Sequence, residues 1–358
     1  MIGFFGRGRA STLDGLESGA DAFLRRVRAL AARPRGGDAA LPGRSELAVL
    51  VQAARAALES EEASLRPRDS EGRPGGIVEL PDLPTILVPD LHARPAFIAS
   101  VLSWRPPGYG ESIASLLEGR RACLVCLGDV FHSEVGSARR RWAAAYREYG
   151  SFWVSHASMD EEMGLSLAAA SIVLATKVAF PANFHYLKGN HDNIADEEGR
   201  GDHSFYKFAV EGEMVASWFL STYGEALLEA YREFELDLPI LALGSHFAAS
   251  HGEPAFALSR SDLIEYRSRP DVVEALIWTA NGDAEAFSVA RSLDALLGPE
   301  RAEKALWFAG HRPVDGRYAL RAGGRFVQFH DPGAARVAFL EPGRSPDPDR
   351  DILDVPII

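Results

Sequence analysis

Only two cysteines occur in 358 residues, Cys123 and Cys126, so the chain has no disulfide framework and a reducing compartment is expected. Their C-x-x-C spacing sends the two side chains to opposite faces of a strand, which predicts core filling over redox or zinc chemistry. Positive charge is scarce as well: 38 Lys and Arg against 50 Asp and Glu leave a net charge of −12. A broad basic surface for long nucleic acid is therefore not expected. No segment reaches the roughly 18 apolar residues of a membrane span. Met1–Ser11 carries Arg7 and Arg9 without the apolar stretch of a secretory signal behind them. Together these absences predict a cytoplasmic protein without a membrane partner. There is no internal repeat. What is plentiful is apolar content, 47%, enough for a substantial core in one large or two smaller domains.

Three regions are expected. Residues 1–76 read as an accessory helical region and linker. Leu16, Ala20, Phe23, Leu24, Val27 and Leu30 mark a helix over Asp14–Arg33, and Leu47, Leu50, Val51, Ala54 and Leu58 mark a second from Ser45 to Glu59. Arg66–Gly76, rich in Arg, Pro, Gly and Asp, has a linker's composition. Residues 77–342 alternate strands with helical stretches, which predicts an α/β layer fold around a central sheet. Residues 343–358, with Pro346, Pro348 and Pro356 among charges, read as an extended tail. Within the main domain, helices are expected over Ser137–Tyr149, Asp160–Lys177 and Ser217–Glu235, and a hairpin over Leu238–Ala242 and His246–Ser250. Arg139, Arg140 and Arg141 are expected to be solvated or to clamp a substrate phosphate.

Five hydrophobic runs end in polar chemistry. Thr85–Pro89 leads to Asp90-Leu91-His92, Ala122–Leu127 to Gly128-Asp129, and Phe184–Lys188 to Gly189-Asn190-His191-Asp192. Phe247–Ser250 leads to His251-Gly252, and Ala305–Ala309 to Gly310-His311. A histidine after one strand is an ordinary turn residue; five such ends in one chain supply the carboxylate, imidazole and amide oxygens that a pair of divalent cations needs. Asp129 is the expected bridge, with Asp90 and His92 beside it on one metal and Asn190, His251 and His311 on the other. Three donors against four leave open positions, as a catalytic site requires. Two cations about 3.5–4 Å apart would generate hydroxide near neutral pH and neutralise phosphate oxygens. His191, with an ordinary pKa of about 6.5, is the expected general acid. The donor mixture suits manganese first, with iron or zinc as alternatives.

The order of these segments resembles the calcineurin-like metallophosphoesterase superfamily, with its D-x-H, G-D-x-x, G-N-H-[DE], H and G-H boxes. It is most similar to the phosphoprotein phosphatase branch of serine/threonine phosphatases. Val178-Ala179-Phe180-Pro181 before Leu187–Asp192, Leu238–Ala242 before Ser250-His251-Gly252, Leu276-Ile277-Trp278 and Gly310–Gly316 carry that likeness, over about Thr85 to Leu340. It implies an αββα sandwich of two packed mixed sheets flanked by helices, and hydrolysis of phosphomonoesters on a protein, nucleotide or small metabolite.

The chain departs from that branch in the second box. Its G-D-x-x-D-R-G has an aspartate that orients the catalytic histidine and an arginine that holds phosphate; here those places hold His132 and Ser133. Gly128-Asp129-Val130-Phe131-His132 instead resembles the G-D-L-F-H box of repair nucleases of the superfamily. That makes His132 a second catalytic candidate and a phosphodiesterase or nuclease the alternative, with a catalytically silent metal-binding module as a third reading. The nucleases' terminal G-H-x-H is absent from Gly310-His311-Arg312-Pro313. Arg94 and Arg312, close in sequence to proposed ligands, are the candidates for phosphate binding. His330-Asp331-Pro332 is expected to be structural, and His246 to lie at the far end of its strand. His156, His185 and His203 show no constellation. The long interval between His132 and Ala170 reads as a lid or a surface excursion.

Overall fold

The computed structural model describes residues 19–35, 41–152 and 156–358; the expected features at Met1–Ser11 and the start of the first helix lie outside the described residues. The five hydrophobic runs that lead into polar segments all become strands. The first sheet holds β2 (Thr85–Val88), β3 (Cys123–Cys126), β4 (Phe184–Tyr186), β10 (Arg336–Leu340) and β11 (Ile352–Asp354), in the order β11-β10-β2-β3-β4. β2, β3 and β4 run parallel, and β10 and β11 complete the sheet antiparallel. The second holds β1 (Ile77–Glu79), β5 (Leu241–Leu243), β6 (Phe247–Ser250), β7 (Leu306–Ala309), β8 (Ala319–Arg321) and β9 (Phe326–Gln328), in the order β1-β5-β6-β7-β9-β8. β5 and β6 form the expected hairpin.

The period of two along each strand divides its side chains between layers. Leu87, Val125, Phe308, Val327 and Ala338 pack between the sheets. Ile86, Val88, Leu124 and Cys126 face the helices outside the first sheet, and Leu241, Trp307 and Phe326 face those outside the second. The result is two mixed sheets face to face with helices on both outer surfaces, the αββα arrangement. Both thiols are buried and free, and burial pushes Cys123 up to about 12 and Cys126 higher still, so neither is poised for redox work.

The helices over the first sheet are α1 (Ala20–Ala32), α2 (Arg44–Glu59), α3 (Pro95–Ser103), α4 (Ile113–Glu118), α5 (Ala138–Gly150), α6 (Ala157–Ala179), α7 (Glu211–Tyr223) and α8 (Glu225–Leu236). α1 packs on α3, α4 and α6, and α2 on α6 and α8, so both N-terminal helices bury their apolar stripes in one core with the main domain. α2 starts one residue before Ser45, with Gly43 at its N-cap. The helix expected over Ser217–Glu235 is two, because Gly224 at φ 81° breaks it where an L side chain would be strained. α6 is long and apolar enough to cross a membrane, contrary to the expectation from sequence, but 83% of its most apolar window is buried in the protein. It is a core helix.

Two other expectations change. The segment 343–358 is not a bare tail: Pro348–Asp351 forms a helical turn and Ile352–Asp354 pairs with β10 as an edge strand. Arg66, in the expected linker, is fully buried. Composition hid this because its countercharges come from elsewhere. Arg66 Nη1 donates to Glu61 Oε2 at 3.0 Å and Nη2 to the Asp237 carbonyl at 2.7 Å, while Lys177 Nζ reaches the other Glu61 oxygen. His185 Nδ1 lies 3.2 Å from that same oxygen. Burial raises the Glu61 carboxyl, but Lys177, His185 and Arg66 more than reverse this and hold it well below the carboxylate range. Glu61→Ala leaves two buried cations without a counterion and is expected to cost about 3–5 kcal/mol, read as a lowered urea midpoint at unchanged slope.

Candidate metal centre

The five polar segments meet where β2, β3, β4, β6 and β7 end. The backbone turns sharply there: His92, Asp129, His132 and His311 have positive φ of 40°, 55°, 70° and 60°. That region costs a non-glycine residue about 1–3 kcal/mol and persists where the surroundings over-determine it. Here the loops are tied to one another. His92 N–H donates to the Asp129 carbonyl at 2.6 Å and Ala93 N–H to that of Val130 at 2.9 Å. Asp192 Oδ2 accepts from the amides of Gly189 at 2.8 Å and Asp129 at 3.0 Å, and Oδ1 from Tyr186 Oη at 2.7 Å. Asp192 is thus a brace between two boxes. Two glycines are set by close approach: a Cβ on Gly189 would lie 2.2 Å from Asp129 Oδ1, and one on Gly310 1.7 Å from Asp90 Oδ1.

All six expected ligands come together in two groups that share Asp129. In one, Asn190 Oδ1, His251 Nε2 and His311 Nδ1 lie 2.9–3.1 Å apart, and Asp129 Oδ2 is 3.5 Å from His251 Nε2. In the other, His92 Nε2 is 3.7 Å from Asp90 Oδ2 and 3.6 Å from Asp129 Oδ2. His251 Nδ1 faces the Leu127 carbonyl at 2.9 Å and His92 Nδ1 that of Phe131 at 3.3 Å, which fixes the rings and turns each Nε2 inward. Asp90 Oδ2 is buried with no hydrogen-bond partner, the mark of a donor set built for a cation.

The charges agree with this. Burial, with Asp90 and Asp192 nearby, pushes the Asp129 carboxyl up to about 7 against the pull of His251 and His92. Burial lowers His92, but Glu134, Asp90 and Asp129 raise it to about 9. Two buried carboxylates facing one point repel each other; a cation between them reverses the sign of that interaction.

His191 lies beside this group, its ring centroid 5.2 Å from that of His92 and 4.8 Å from that of His132, stacked on Phe205. Burial, then His132 and His92, push its imidazole well below the ordinary range. Its Nδ1 has no partner. The aspartate missing from the second box is not replaced against His191 itself. His132 stands between, stacked on Trp142, with Nε2 3.4 Å from Glu211 Oε1.

The arginines differ from expectation. Arg94 is no phosphate ligand: its guanidinium donates to the carbonyls of Leu91, Asp331, Pro332, Ala334 and Asp90, so it braces the Asp90 turn. Arg141 is neither solvated nor a clamp. It is buried, with Nε 2.8 Å from Glu162 Oε2, while Ser133 N–H donates to Glu162 Oε1 at 2.7 Å. Arg312 is exposed beside His311. The interval after His132 folds as α5 and the first part of α6 and supplies Trp142.

Four polar residues that sequence reasoning did not assign to the site lie beside it. Glu134 follows His132 by two positions. His330, expected to be structural, ends a sixth hydrophobic strand, β9, by the same logic that singled out the other five. Lys207 and Glu211, the latter opening α7, come from some 75 residues further along and meet the site only through the fold. Lys207 Nζ pairs with Glu134 Oε1, and Lys207 N–H donates to Glu211 Oε2 at 2.8 Å.

No family model matches the chain, and no curated protein matches it in sequence. Among solved structures it is similar to a protein serine/threonine phosphatase from Saccharomyces cerevisiae with similarity to human phosphatase PP5. The TM-score is 0.53 at 14% identity, covering 89% of this chain and 91% of that one. A cold-active protein-tyrosine phosphatase of a Shewanella species aligns with a TM-score of 0.42 at 12% identity, over 78% of this chain and 82% of that one. The first of these likenesses places the chain in the fold of a protein phosphatase.

Proposed function

We propose that the chain is a two-cation-dependent phosphoesterase that hydrolyses phosphomonoesters. The observation that carries this is the convergence of Asp90, His92, Asp129, Asn190, His251 and His311 on two adjacent points that share one Asp129 oxygen. A cation pair held there would supply an activated water and neutralise phosphate oxygens. Asp129 would be shared by both sites, and Asn190, a neutral donor, would limit the negative charge gathered there. His191 lies beside the same space and is the group placed to give the leaving oxygen its proton; because burial and the neighbouring His132 and His92 hold its imidazole neutral in the free protein, it takes up that proton when an anionic substrate phosphate is bound beside it. Arg312, exposed at the rim, is a cation available to a phosphate. The substrate is a phosphorylated protein, nucleotide or small metabolite, met in the cytoplasm, where the two buried thiols stay reduced.

The second reading, a phosphodiesterase, draws on His132 packed against His191 with a carboxylate behind it. Stripped protein reloaded with manganese, offered a nitrophenyl phosphomonoester beside the bis-nitrophenyl diester, separates the two. The expected result is faster monoester turnover. Faster diester turnover moves the assignment to the second reading, and no turnover of either overturns both.

A further inference from the structure

The first metal position is richer in donors than the three residues that the sequence boxes supply. Glu134 Oε1 lies 3.5 Å from His92 Nε2, and Glu134 Oε2 lies 3.7 Å from His330 Nε2. His330 Nε2 is in turn 3.9 Å from Asp90 Oδ2. Asp90, His92 and His330 each place a donor atom within 4.8 Å of the others.

These separations are too long for hydrogen bonds, which end near 3.2 Å. They are the right length for donors arranged around one ion. With metal–donor bonds of about 2.1 Å, neighbouring donors of an octahedron stand about 3.0 Å apart and opposite ones about 4.2 Å. The buried polar atoms agree. His330 is fully buried and neither ring nitrogen has a hydrogen-bond partner; Asp90 Oδ2 and Glu134 Oε2 have none either. Leaving that many polar atoms unpaired costs about 1–3 kcal/mol each unless something satisfies them together. A structural ion pair between His330 and Glu134 accounts for two of these atoms but not for Asp90 Oδ2, and it would close to a shorter contact.

We propose that Glu134 and His330 are direct ligands of the first cation, which is then held by five protein donors: Asp90, His92, Asp129, Glu134 and His330. This rests on the two-cation reading above and adds to it in two ways. Three carboxylates and two imidazoles make an oxygen-rich site of high coordination number, which favours manganese or iron(II) over the four-coordinate geometry usual for zinc. Five protein donors also leave room for one outside ligand at that end. A substrate phosphate is therefore gathered mainly at the Asn190–His251–His311 side and by Arg312, and a long diester has less open metal surface to lie across. Lys207, paired with Glu134 Oε1, is the partner that holds that carboxylate in place.

The test is binding, not turnover. Stripped full-length protein is titrated with manganese by calorimetry, and the fully loaded protein is examined by pulsed electron paramagnetic resonance, which counts directly bound imidazole nitrogens. Wild type is expected to take two equivalents and to show four nitrogens, those of His92, His330, His251 and His311. Glu134→Gln and His330→Ala are each expected to weaken one site by more than about 100-fold, beyond the 10–100-fold loss typical of an outer partner, and to leave the other site unchanged. His330→Ala should also drop the count to three. Three nitrogens in wild type overturn the proposal without any variant, so a misfolded variant does not leave it open. Unchanged affinity and count in folded variants overturn it too, while leaving the two-cation reading intact. Two tight sites with the expected nitrogen count but no phosphoesterase turnover would uphold the ligand set and sink the hydrolase reading. Absence of any bound manganese sinks both.

Discussion

Asp129→Asn is expected to lower turnover by at least about 10³-fold and to abolish the metal-dependent rise in melting temperature, while the stripped protein stays folded. The geometry separates these effects. Asp129 Oδ1 accepts the His191 amide at 2.8 Å, a bond that an asparagine carbonyl reproduces, so the loop keeps its anchor. Oδ2 faces both donor groups, and there asparagine presents an amide NH₂, which repels a cation. Without metal the substitution removes a carboxyl that burial pushes up to about 7, so the stripped variant should be as stable as stripped wild type, or more so. With metal at 100 times its dissociation constant, wild type gains about 2.7 kcal/mol from one site alone. Thermal unfolding with and without manganese reads this directly. A metal-dependent shift retained in full by Asp129→Asn would remove Asp129 from the bridge.

His191→Ala is the second large effect, and it should split binding from chemistry. His191 places a ring nitrogen within 4.8 Å of His92 and His132 but belongs to neither assigned ligand set, so both manganese equivalents should bind as in wild type. Turnover of an alkyl phosphomonoester, whose leaving oxygen needs a proton, should fall by about 10²–10⁴-fold. Nitrophenyl phosphate, whose leaving group departs as an anion, should lose much less. This contrast is what a positioning role for the histidine cannot produce. Near-normal turnover of the alkyl ester would pass the general-acid role to His132, whose ring is 4.8 Å away and backed by Glu211.

The parts of this site that were legible in sequence share a property: each is encoded within a few residues. A buried strand followed by a polar turn is a local pattern, and all five such patterns became strand ends at one place. Asp192 was visible as part of a box, but its role as a brace depended on Gly128-Asp129 arriving beside it. The missed residues depended on distant partners. Arg66 looked like linker because Lys177 and Glu61 lie apart in sequence and only the fold turns them into one charge cluster. Arg141 looked solvated because Glu162 stands on another helix. Arg94 looked free because carbonyls satisfy it, and carbonyls have no sequence signature. Glu134 and His330 fell between the two cases: each is locally conspicuous, yet both depart from the boxes of the resembling family, so a comparison of boxes passed over Glu134 and left His330 as a structural residue. The break at Gly224 was hidden by an apolar pattern that continues across it.

The pairing of β10 with β2, which sets Leu340 opposite Thr85, also fixes when the centre can exist during folding. The polar strand ends that meet there are spread from Asp90 to His311, and β2 gains its neighbour on the open side only after nearly the whole chain is present. Closing loops of that length is slow relative to forming the helices around it. A cation met early would find Asp90, His92 and Asp129 before the histidines of the second sheet, so on a growing chain an incomplete centre precedes the finished one.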